Sequence, residues 1–165
     1  MSPAIVVLAL VTLQRIAELL WSARNTARLR ARGGVEMSPG HYPAIVAVHA
    51  AWLAGLWWLA REQAPQTGWL ALFGALQLAR FWVLATLRER WTTRIIVLPG
   101  VAPVRTGPYR FIKHPNYAVV AAEIAVLPLA FGLPAFALAF AILNTIVLSI
   151  RIRAENAALA AGRDG

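Results

Sequence analysis

The chain has 165 residues, enough for one domain, and its 59% hydrophobic and 14% charged residues are atypical of a soluble protein, in which about a quarter of residues are charged. The formal net charge of +9 arises from arginines clustered between apolar runs, which indicates membrane topology and argues against nucleic-acid binding. The absence of cysteine excludes disulfides, thiolate metal sites and cysteine nucleophiles. We expect an all-α integral membrane protein without a metal site.

Five apolar runs predict five transmembrane helices, for each of which about 17–25 residues are needed. The runs are Pro3–Trp21, Tyr42–Leu59, Gly68–Leu87, Tyr117–Leu133 and Pro134–Ile150. We expect the first run to be a span and not a cleaved signal peptide, because its arginines follow it. The last two runs are at the short limit and meet at Gly132-Leu133-Pro134, which predicts a tight antiparallel hairpin.

Positive charge is concentrated in the Ser22–His41 loop, in the Arg88–Asn116 loop and in the tail after Ile150, which also holds Arg163 and Asp164. The Ala60–Thr67 loop has one arginine and one glutamate. The positive-inside rule therefore predicts an N-terminus outside and a C-terminus in the cytoplasm. We expect the membrane to be a bacterial inner membrane.

Several polar side chains fall inside the apolar runs, where ionisable groups are costly and are candidates for function. In the first run, Gln14, Arg15 and Glu18 share one helical face, and we expect Arg15 and Glu18 to neutralise each other. His49 stands alone in the second run and is expected to be a core histidine in preference to a catalytic one.

The later runs carry four more such residues. Gln77 and Arg80 share a face of the third run, and Glu123 lies in the fourth. Two interpretations of Glu123 stay open, namely a pair with Arg80 or a place in a substrate cavity. Asn144 in the fifth run is expected to join neighbouring helices.

The Arg88–Asn116 segment is the longest connection, and two turn signals, Pro99-Gly100 and Gly107-Pro108, predict an ordered cytoplasmic loop that caps the bundle. Pro115 suits the first turn of the fourth helix, whose amide groups, with Asn116, can bind an anionic group. Tyr109 and Tyr117 offer flat faces to a base or a cation. These residues alone fit a nucleotide-like cofactor pocket and a lipid-headgroup site equally well.

Arg151 and Glu155 are four residues apart and share a face where the fifth helix leaves the membrane. The tight hairpin predicts that they meet His114–Tyr117 in space.

The chain resembles the isoprenylcysteine carboxyl methyltransferase family in three consecutive features: "GPYRFIKHPNY", the hairpin and "RIRAE". Members of that family are membrane enzymes that use S-adenosylmethionine. The specific resemblance covers about Thr92 to Leu159 and follows the pattern Gly-x-Tyr-x-x-x-Arg-His-Pro-x-Tyr, hairpin, Arg-x-x-x-Glu. The whole chain is similar to a small bacterial branch, some members of which are associated with methylation of polyketide-derived alkylpyrones.

The resemblance implies a set of site residues. Arg151 would orient the acceptor as the catalytic residue. Glu123 has no counterpart in the eukaryotic motif and is a second substrate candidate only because of its place inside the fourth run. Cofactor contacts would come from Arg94, Val101, Ala102, Pro103, Val104, Tyr109, His114, Pro115, Asn116, Tyr117 and Glu155. The chain departs from the family at Lys113, where arginine is usual, and from the eukaryotic members at Val101 and Arg94, where they have histidine and glutamine.

The resemblance and the residues together predict one methyltransferase domain over 1–165, with three spans in 1–87 and the loop, hairpin and tail in 88–165. We expect S-adenosylmethionine-dependent O-methylation of a lipophilic carboxylate or enol/hydroxyl acceptor. Arg151 would favour an ionised oxygen and would repel a charged amine. The partners expected are a lipid-tailed acceptor and the bilayer, without nucleic acid. The alternatives are an NADPH-dependent reductase of sterol-like or enone lipids and a non-enzymatic lipid-binding protein.

Overall fold

The computed structural model describes residues 2–161 as a bundle of α-helices with a short two-stranded sheet. The helices are α1 Pro3–Ala31, α2 Tyr42–Leu59, α3 Thr67–Leu87, α4 Pro115–Ala130 and α5 Pro134–Ala161. The strands are β1 Val35–Glu36 and β2 Ile96–Val97, and single 3-10 turns lie at Pro39–His41, Arg88–Arg90 and Gly107–Arg110.

Four helical segments in this part of the chain are long and apolar enough to cross a membrane: Pro3–Ala31, Pro39–Leu59, Thr67–Arg90 and Pro134–Ala158. Their outward side chains are apolar, as Leu78 and Phe81 show by being 76% and 72% exposed. Exposed apolar surface on this scale fits a lipid environment and the all-helical membrane fold that was predicted. α4 is shorter, with 16 residues, which correspond to about 24 Å of rise, so the fifth span stays a prediction.

Two helices continue well beyond the predicted spans. α1 continues past Trp21 to Ala31, so the first half of the predicted Ser22–His41 loop is α-helical, and its assignment as a loop is wrong. α5 continues past Ile150 to Ala161, while Arg163 and Asp164 lie outside the described residues. The apolar runs mark the membrane thickness, whereas the arginines and alanines that follow them are good helix formers.

The predicted tight hairpin between α4 and α5 is confirmed. Gly132 has a φ of +70°, and its amide donates to the carbonyl of Leu129 at 3.0 Å. This left-handed residue ends α4, and Pro134 starts α5 two residues later. The beginning of α4 therefore lies beside the later part of α5.

The apolar core fills the half of the bundle remote from the Arg88–Asn116 loop. Leu8, Leu56, Phe73 and Leu127 come from four different helices and belong to one buried cluster. The indole nitrogen of Trp52 donates to the carbonyl of Ile124 at 3.1 Å and so satisfies its polar atom there. The half of the bundle next to the loop is different, because polar side chains and a cavity occupy it.

The first part of the Arg88–Asn116 loop is fastened to α1 and to β1. β2 pairs antiparallel with β1, with Val97 opposite Val35. The Asn25 side chain of α1 donates to the carbonyl groups of Arg88 and Trp91 at 3.1 and 2.8 Å. The loop thus has defined structure, as was expected from its turn signals.

Candidate active site

The hairpin brings the start of α4 against the end of α5. The Tyr117 hydroxyl donates to the Glu155 carboxylate and accepts from Nε of Arg151 at 2.7 Å. His114 places its Nε2 3.3 Å from Oδ1 of Asn156 and its Nδ1 3.7 Å from the Glu155 carboxylate. Its ring stacks on Tyr117 with centroids 5.3 Å apart. The predicted meeting of these two segments is therefore confirmed.

Arg151 also joins the hairpin to the loop. Its Nη1 donates to the Thr93 carbonyl at 2.6 Å, and its side chain is nearly buried. The Thr93 hydroxyl lies 2.8 Å from that of Ser22 and 3.2 Å from that of Tyr42. Thr93 thereby links the loop with α1, α2 and α5, and the guanidinium of Arg151 is held in one place.

A cavity of about 300 Å³ opens beside this constellation and continues into the bundle. Its wall is mainly apolar, with Ile16, Leu19, Ile45, Val46, Leu53, Val120, Val147 and Leu148 among the lining residues. The polar lining residues are Thr12, Arg15, Glu18, Tyr42, His49, Arg80, Thr92, Thr93, Asn116, Tyr117, Asn144 and Arg151. A mostly apolar pocket with a few converging polar groups has the character of a small-molecule site.

Three buried polar atoms of cavity-lining residues have no hydrogen-bond partner within the described residues. They are Oδ1 of Asn116, Nε1 of Trp91 and Nδ2 of Asn144. A buried polar group without a partner costs about 1–3 kcal/mol, so such groups tend to be satisfied by ligands or water. All three atoms belong to residues that line the cavity, but the atoms themselves are buried beneath its surface.

Glu123 lies behind the cavity wall and forms part of a buried ion network. Its carboxylate accepts from Arg15 Nη2 at 2.7 Å and from Arg80 Nη1 at 3.1 Å. Glu18 accepts from the same two arginines and lines the cavity, which Glu123 does not. Two arginines and two glutamates thus neutralise one another, and Glu123 is paired with Arg80, one of the two interpretations left open above.

Among the predicted cofactor residues, Asn116 and Tyr117 line the cavity and the others do not. Arg94 donates to Glu36 at 2.6 Å and stacks over the Tyr42 ring at 4.3 Å. Burial of Glu36 would raise its pKa, but the hydrogen bonds from Arg94 and Arg30 outweigh it and lower the pKa below its usual value. Val101–Val104 line the outer edge of the loop, where Val101 is exposed and the Ala102 carbonyl accepts from Arg90 at 2.9 Å.

The remaining predicted cofactor residues cluster at the helix start. Pro115 is buried at the first position of α4, and Asn116 and Tyr117 line the cavity. The amides of Tyr117 and Ala118 both donate to the His114 carbonyl, at 3.1 and 3.3 Å, so two amides of the helix start are already bonded. Burial, together with the negative charge of Glu155, raises the pKa of Tyr109, which keeps its phenol protonated at neutral pH.

Sequence reasoning missed Thr93, Trp91 and Tyr42 as parts of the site. Trp91 and Thr93 belong to the "RWTTR" stretch, where two hydroxyl residues follow a tryptophan at the end of a span. Tyr42 begins α2 at the same end of the bundle. Asn144, expected to join neighbouring helices, lines the cavity, and its buried Nδ2 has no hydrogen-bond partner within the described residues.

Comparison with known proteins yields one family and two relatives. The model of the isoprenylcysteine carboxyl methyltransferase (ICMT) family matches residues 69–161. The uncharacterized protein YpbQ of Bacillus subtilis (strain 168) is 38% identical over 157 residues, which cover 92% of this chain and 94% of YpbQ. An uncharacterized protein of Haemophilus influenzae (strain ATCC 51907 / DSM 11121 / KW20 / Rd) is 26% identical, with 88% of each chain covered.

No solved structure matches the chain. The family match includes nearly all of α3, the loop, the hairpin and the Tyr117–Arg151–Glu155 contacts. It covers more than half of the sequence. The chain therefore belongs to the isoprenylcysteine carboxyl methyltransferase family.

Proposed function

We propose that the protein transfers a methyl group from S-adenosylmethionine to an oxygen atom of a lipophilic acceptor within the membrane. Family membership makes it a membrane methyltransferase; the donor, the acceptor class and the residue roles are the proposal. The observation that carries it is the arrangement of Arg151, Tyr117 and Glu155 across the hairpin, at the mouth of a mainly apolar cavity.

The residues around the hairpin fit the proposed donor in their chemistry. Glu155 supplies a carboxylate for hydroxyl or ammonium groups, and Asn116 lines the cavity beside Tyr117. The rings of His114 and Tyr117 form a stacked pair beside them. When bound, S-adenosylmethionine supplies a methyl group on a positively charged sulfur, which is already an activated electrophile. Glu155, His114, Asn116 and Tyr117 would hold this cofactor.

Arg151 is suited to orient the acceptor. Its Nε and Nη1 are fixed by Tyr117 and Thr93, which leaves the Nη2 donors for a ligand among the described contacts. A fixed guanidinium binds an oxygen with partial or full negative charge and positions it for attack. This positioning supports a carboxylate or an enol/hydroxyl acceptor. The apolar cavity wall supports a lipid tail that enters from the bilayer between helices.

The proposed orientation places the Arg88–Asn116 loop and the C-terminus in the cytoplasm of a bacterium, with the N-terminus outside. The chain has no cysteine, so a single cysteine introduced at Gln63 or at Phe111 can be labelled without background. An impermeant thiol reagent added to intact cells should label the Gln63→Cys protein and leave Phe111→Cys unlabelled. The reverse pattern contradicts the orientation.

The test of the cofactor is a pair of calorimetric titrations of the purified protein, one with S-adenosylhomocysteine and one with NADPH. Saturable binding of S-adenosylhomocysteine alone is the expected result. Binding of NADPH alone would favour the reductase alternative, and binding of neither would favour a non-enzymatic lipid-binding protein. Either result contradicts the proposed donor.

A further inference from the structure

Arg151 is held by one helix and by one segment that has no regular secondary structure of its own. Its Nε donates to the hydroxyl of Tyr117 in α4 at 2.7 Å, and its Nη1 donates to the Thr93 carbonyl at 2.6 Å. Thr93 lies between the 3-10 turn that ends at Arg90 and the strand β2. The second bond therefore fixes the guanidinium only as firmly as the loop fixes the Thr93 backbone.

The Thr93 backbone is fixed by Ser22 of α1. The Thr93 amide donates to Oγ of Ser22 at 2.8 Å, and the hydroxyl of Thr93 lies 2.8 Å from the same atom. A hydroxyl has one donor and two acceptor sites, so one serine oxygen can make both bonds. Ser22 is 2% exposed, so water competes little for them. The Tyr42 hydroxyl, 3.2 Å from that of Thr93, is a longer contact and involves the side chain alone.

α1 holds the same segment at a second point. The Asn25 side chain, three residues after Ser22, donates to the carbonyl groups of Arg88 and Trp91. Residues three apart lie on one face of a helix, and both side chains are buried. Asn25 thus fastens the beginning of the segment. Loss of the Ser22 hydroxyl should therefore release Thr93 without detaching the loop.

Ser22 acts on the acceptor site from outside the cavity. It is not one of the cavity-lining residues, whereas Thr93 and Arg151 both are. Its influence on a bound acceptor therefore passes through these two residues. The family model matches residues 69–161, so α1 contributes to the placement of Arg151 from a part of the chain that the family match does not cover.

We infer that Ser22 is a positioning residue of the methyl-transfer site, which holds Arg151 in place through the backbone of Thr93. The inference rests on the proposed function, in which Arg151 orients the acceptor oxygen. Without the Ser22 hydroxyl, the Thr93 amide loses its partner, and the loop moves until that amide reaches another partner or water. A displacement of about 1 Å in an orienting group can lower a rate about a hundredfold.

The cofactor side of the site is expected to be independent of Ser22. Tyr117 keeps its hydrogen bonds to Glu155 and to Nε of Arg151 when the Thr93 contact is weakened. Ser22→Ala should therefore leave the Kd for S-adenosylhomocysteine at the wild-type value and lower the rate of methyl transfer. The two measurements separate a loss of acceptor orientation from a loss of donor binding.

The first test is nitrogen-15 NMR of the full-length protein in detergent, without donor or acceptor. The Arg151 guanidinium signals are assigned by their loss in Arg151→Lys. A guanidinium held at Nε and at Nη1 rotates slowly, so its two Nη signals should be resolved in the wild type. We expect them to be averaged in Ser22→Ala and resolved in Thr26→Val. This control removes a hydroxyl one turn along α1, whereas the hydroxyl partners of Thr93 are Ser22 and Tyr42.

Three results of the NMR experiment overturn the inference. They are averaged Arg151 signals in the wild type, unchanged signals in Ser22→Ala, and the same averaging in Thr26→Val as in Ser22→Ala. The first would show that the guanidinium is not fixed, the second that Ser22 does not fix it, and the third that any buried hydroxyl of α1 has this effect.

The second test is a double-mutant cycle on turnover, measured as the transfer of label from methyl-labelled S-adenosylmethionine to a total bacterial lipid extract. Ser22→Ala should lower the rate by about ten- to a hundredfold in the otherwise wild-type protein. Added to Arg151→Ala, it should cause little further loss, because the residue through which it acts is already absent. A loss by the same factor in both backgrounds is the signature of a general structural effect and overturns the inference.

The wild-type protein separates this inference from the proposed function. If the wild type neither binds S-adenosylhomocysteine nor transfers label, the proposed function is wrong, and the catalytic consequence of Ser22 falls with it. If the wild type binds and transfers but Ser22→Ala transfers at the same rate, the proposed function stands and the inference falls. The Arg151 signals decide in either case whether Ser22 holds the guanidinium.

Discussion

Tyr117 connects Glu155, which we assign to the cofactor, with Arg151, which we assign to the acceptor. Its hydroxyl donates to Glu155 and accepts from Arg151, so a single side chain fixes the positions of both. Glu155 lies toward the proposed cofactor with His114, whereas Arg151 lines the cavity proposed for the acceptor. The two roles are therefore separable by mutation, although the residues are joined through one oxygen atom.

Replacement of Glu155 by alanine should weaken S-adenosylhomocysteine binding. Loss of a hydrogen bond to a charged group costs about 1.5–3 kcal/mol, which corresponds to an increase in Kd of about ten- to a hundredfold. Calorimetric titration of the purified variant measures this change. Glu62→Ala, a highly exposed site outside the cavity, is the control and should bind as the wild type does. Unchanged affinity in Glu155→Ala contradicts the role of Glu155.

Replacement of Arg151 by alanine should leave cofactor binding near the wild-type value and lower turnover. The variant loses the guanidinium that orients the acceptor oxygen but retains the Tyr117–Glu155 hydrogen bond. The measurements are the Kd for S-adenosylhomocysteine and the rate of transfer of a labelled methyl group. Arg153→Ala is the matched control, because Arg153 is two residues along the same helix and exposed. A large loss of cofactor affinity in Arg151→Ala would assign Arg151 to the cofactor instead.

At the scale of the elements, Gly107 fixes how the loop packs on α3. Its φ is +55°, and a Cβ atom there would lie 2.4 Å from Oγ1 of Thr86. The left-handed conformation alone costs about 1–2 kcal/mol for a residue with a side chain, and the contact with Thr86 adds to this cost. Gly107→Ala should therefore displace the loop that carries Tyr109 and leads to the start of α4.

The measurement for Gly107→Ala is limited proteolysis of the loop together with S-adenosylhomocysteine affinity. Gly100→Ala is the matched control, since Gly100 also has a positive φ but has open space around its Cα. We expect faster cleavage and weaker binding in Gly107→Ala than in Gly100→Ala. Equal behaviour of the two variants would show that the Thr86 contact does not position the loop.

The sequence was sufficient to predict the helical membrane class and the hairpin, because a Gly-Leu-Pro corner between two apolar runs allows little else. The ends of α1 and α5 could not be predicted from hydropathy. Hydropathy falls where each helix leaves the membrane, but the residues that follow are good helix formers and the helix continues. The β1–β2 pair has two residues in each strand, too few for an alternating pattern. The unpartnered atoms of Trp91 and Asn144 depend on packing between helices, which no local pattern encodes.

At the scale of the whole molecule, an apolar core fills the half of the bundle remote from the loop, and a mainly apolar cavity with polar groups on its wall lies nearer the loop. The buried ion network joins α1, α3 and α4. The network is neutral as a whole, so removal of one member leaves an uncompensated charge. Such a loss costs about 3–5 kcal/mol in a buried pair. Replacement of one arginine and one glutamate together leaves the network neutral, so no uncompensated charge remains.

Glu123→Leu should therefore lower the thermal unfolding temperature in detergent markedly. The double variant Arg15→Leu with Glu123→Leu should recover much of the loss, because Arg80 and Glu18 remain paired with each other. Thermal unfolding of both variants, followed by circular dichroism, measures the effect. A double variant less stable than Glu123→Leu would indicate that Arg15 contributes through other contacts.

The most direct measurement of the central claim is the incubation of the protein with methyl-labelled S-adenosylmethionine and a total bacterial lipid extract. We predict a labelled lipophilic product with the wild type that carries the label as an O-methyl group, and a greatly reduced amount with Arg151→Ala. Label on nitrogen, or no labelled lipid from a protein that binds S-adenosylhomocysteine, would contradict O-methylation of a lipophilic acceptor.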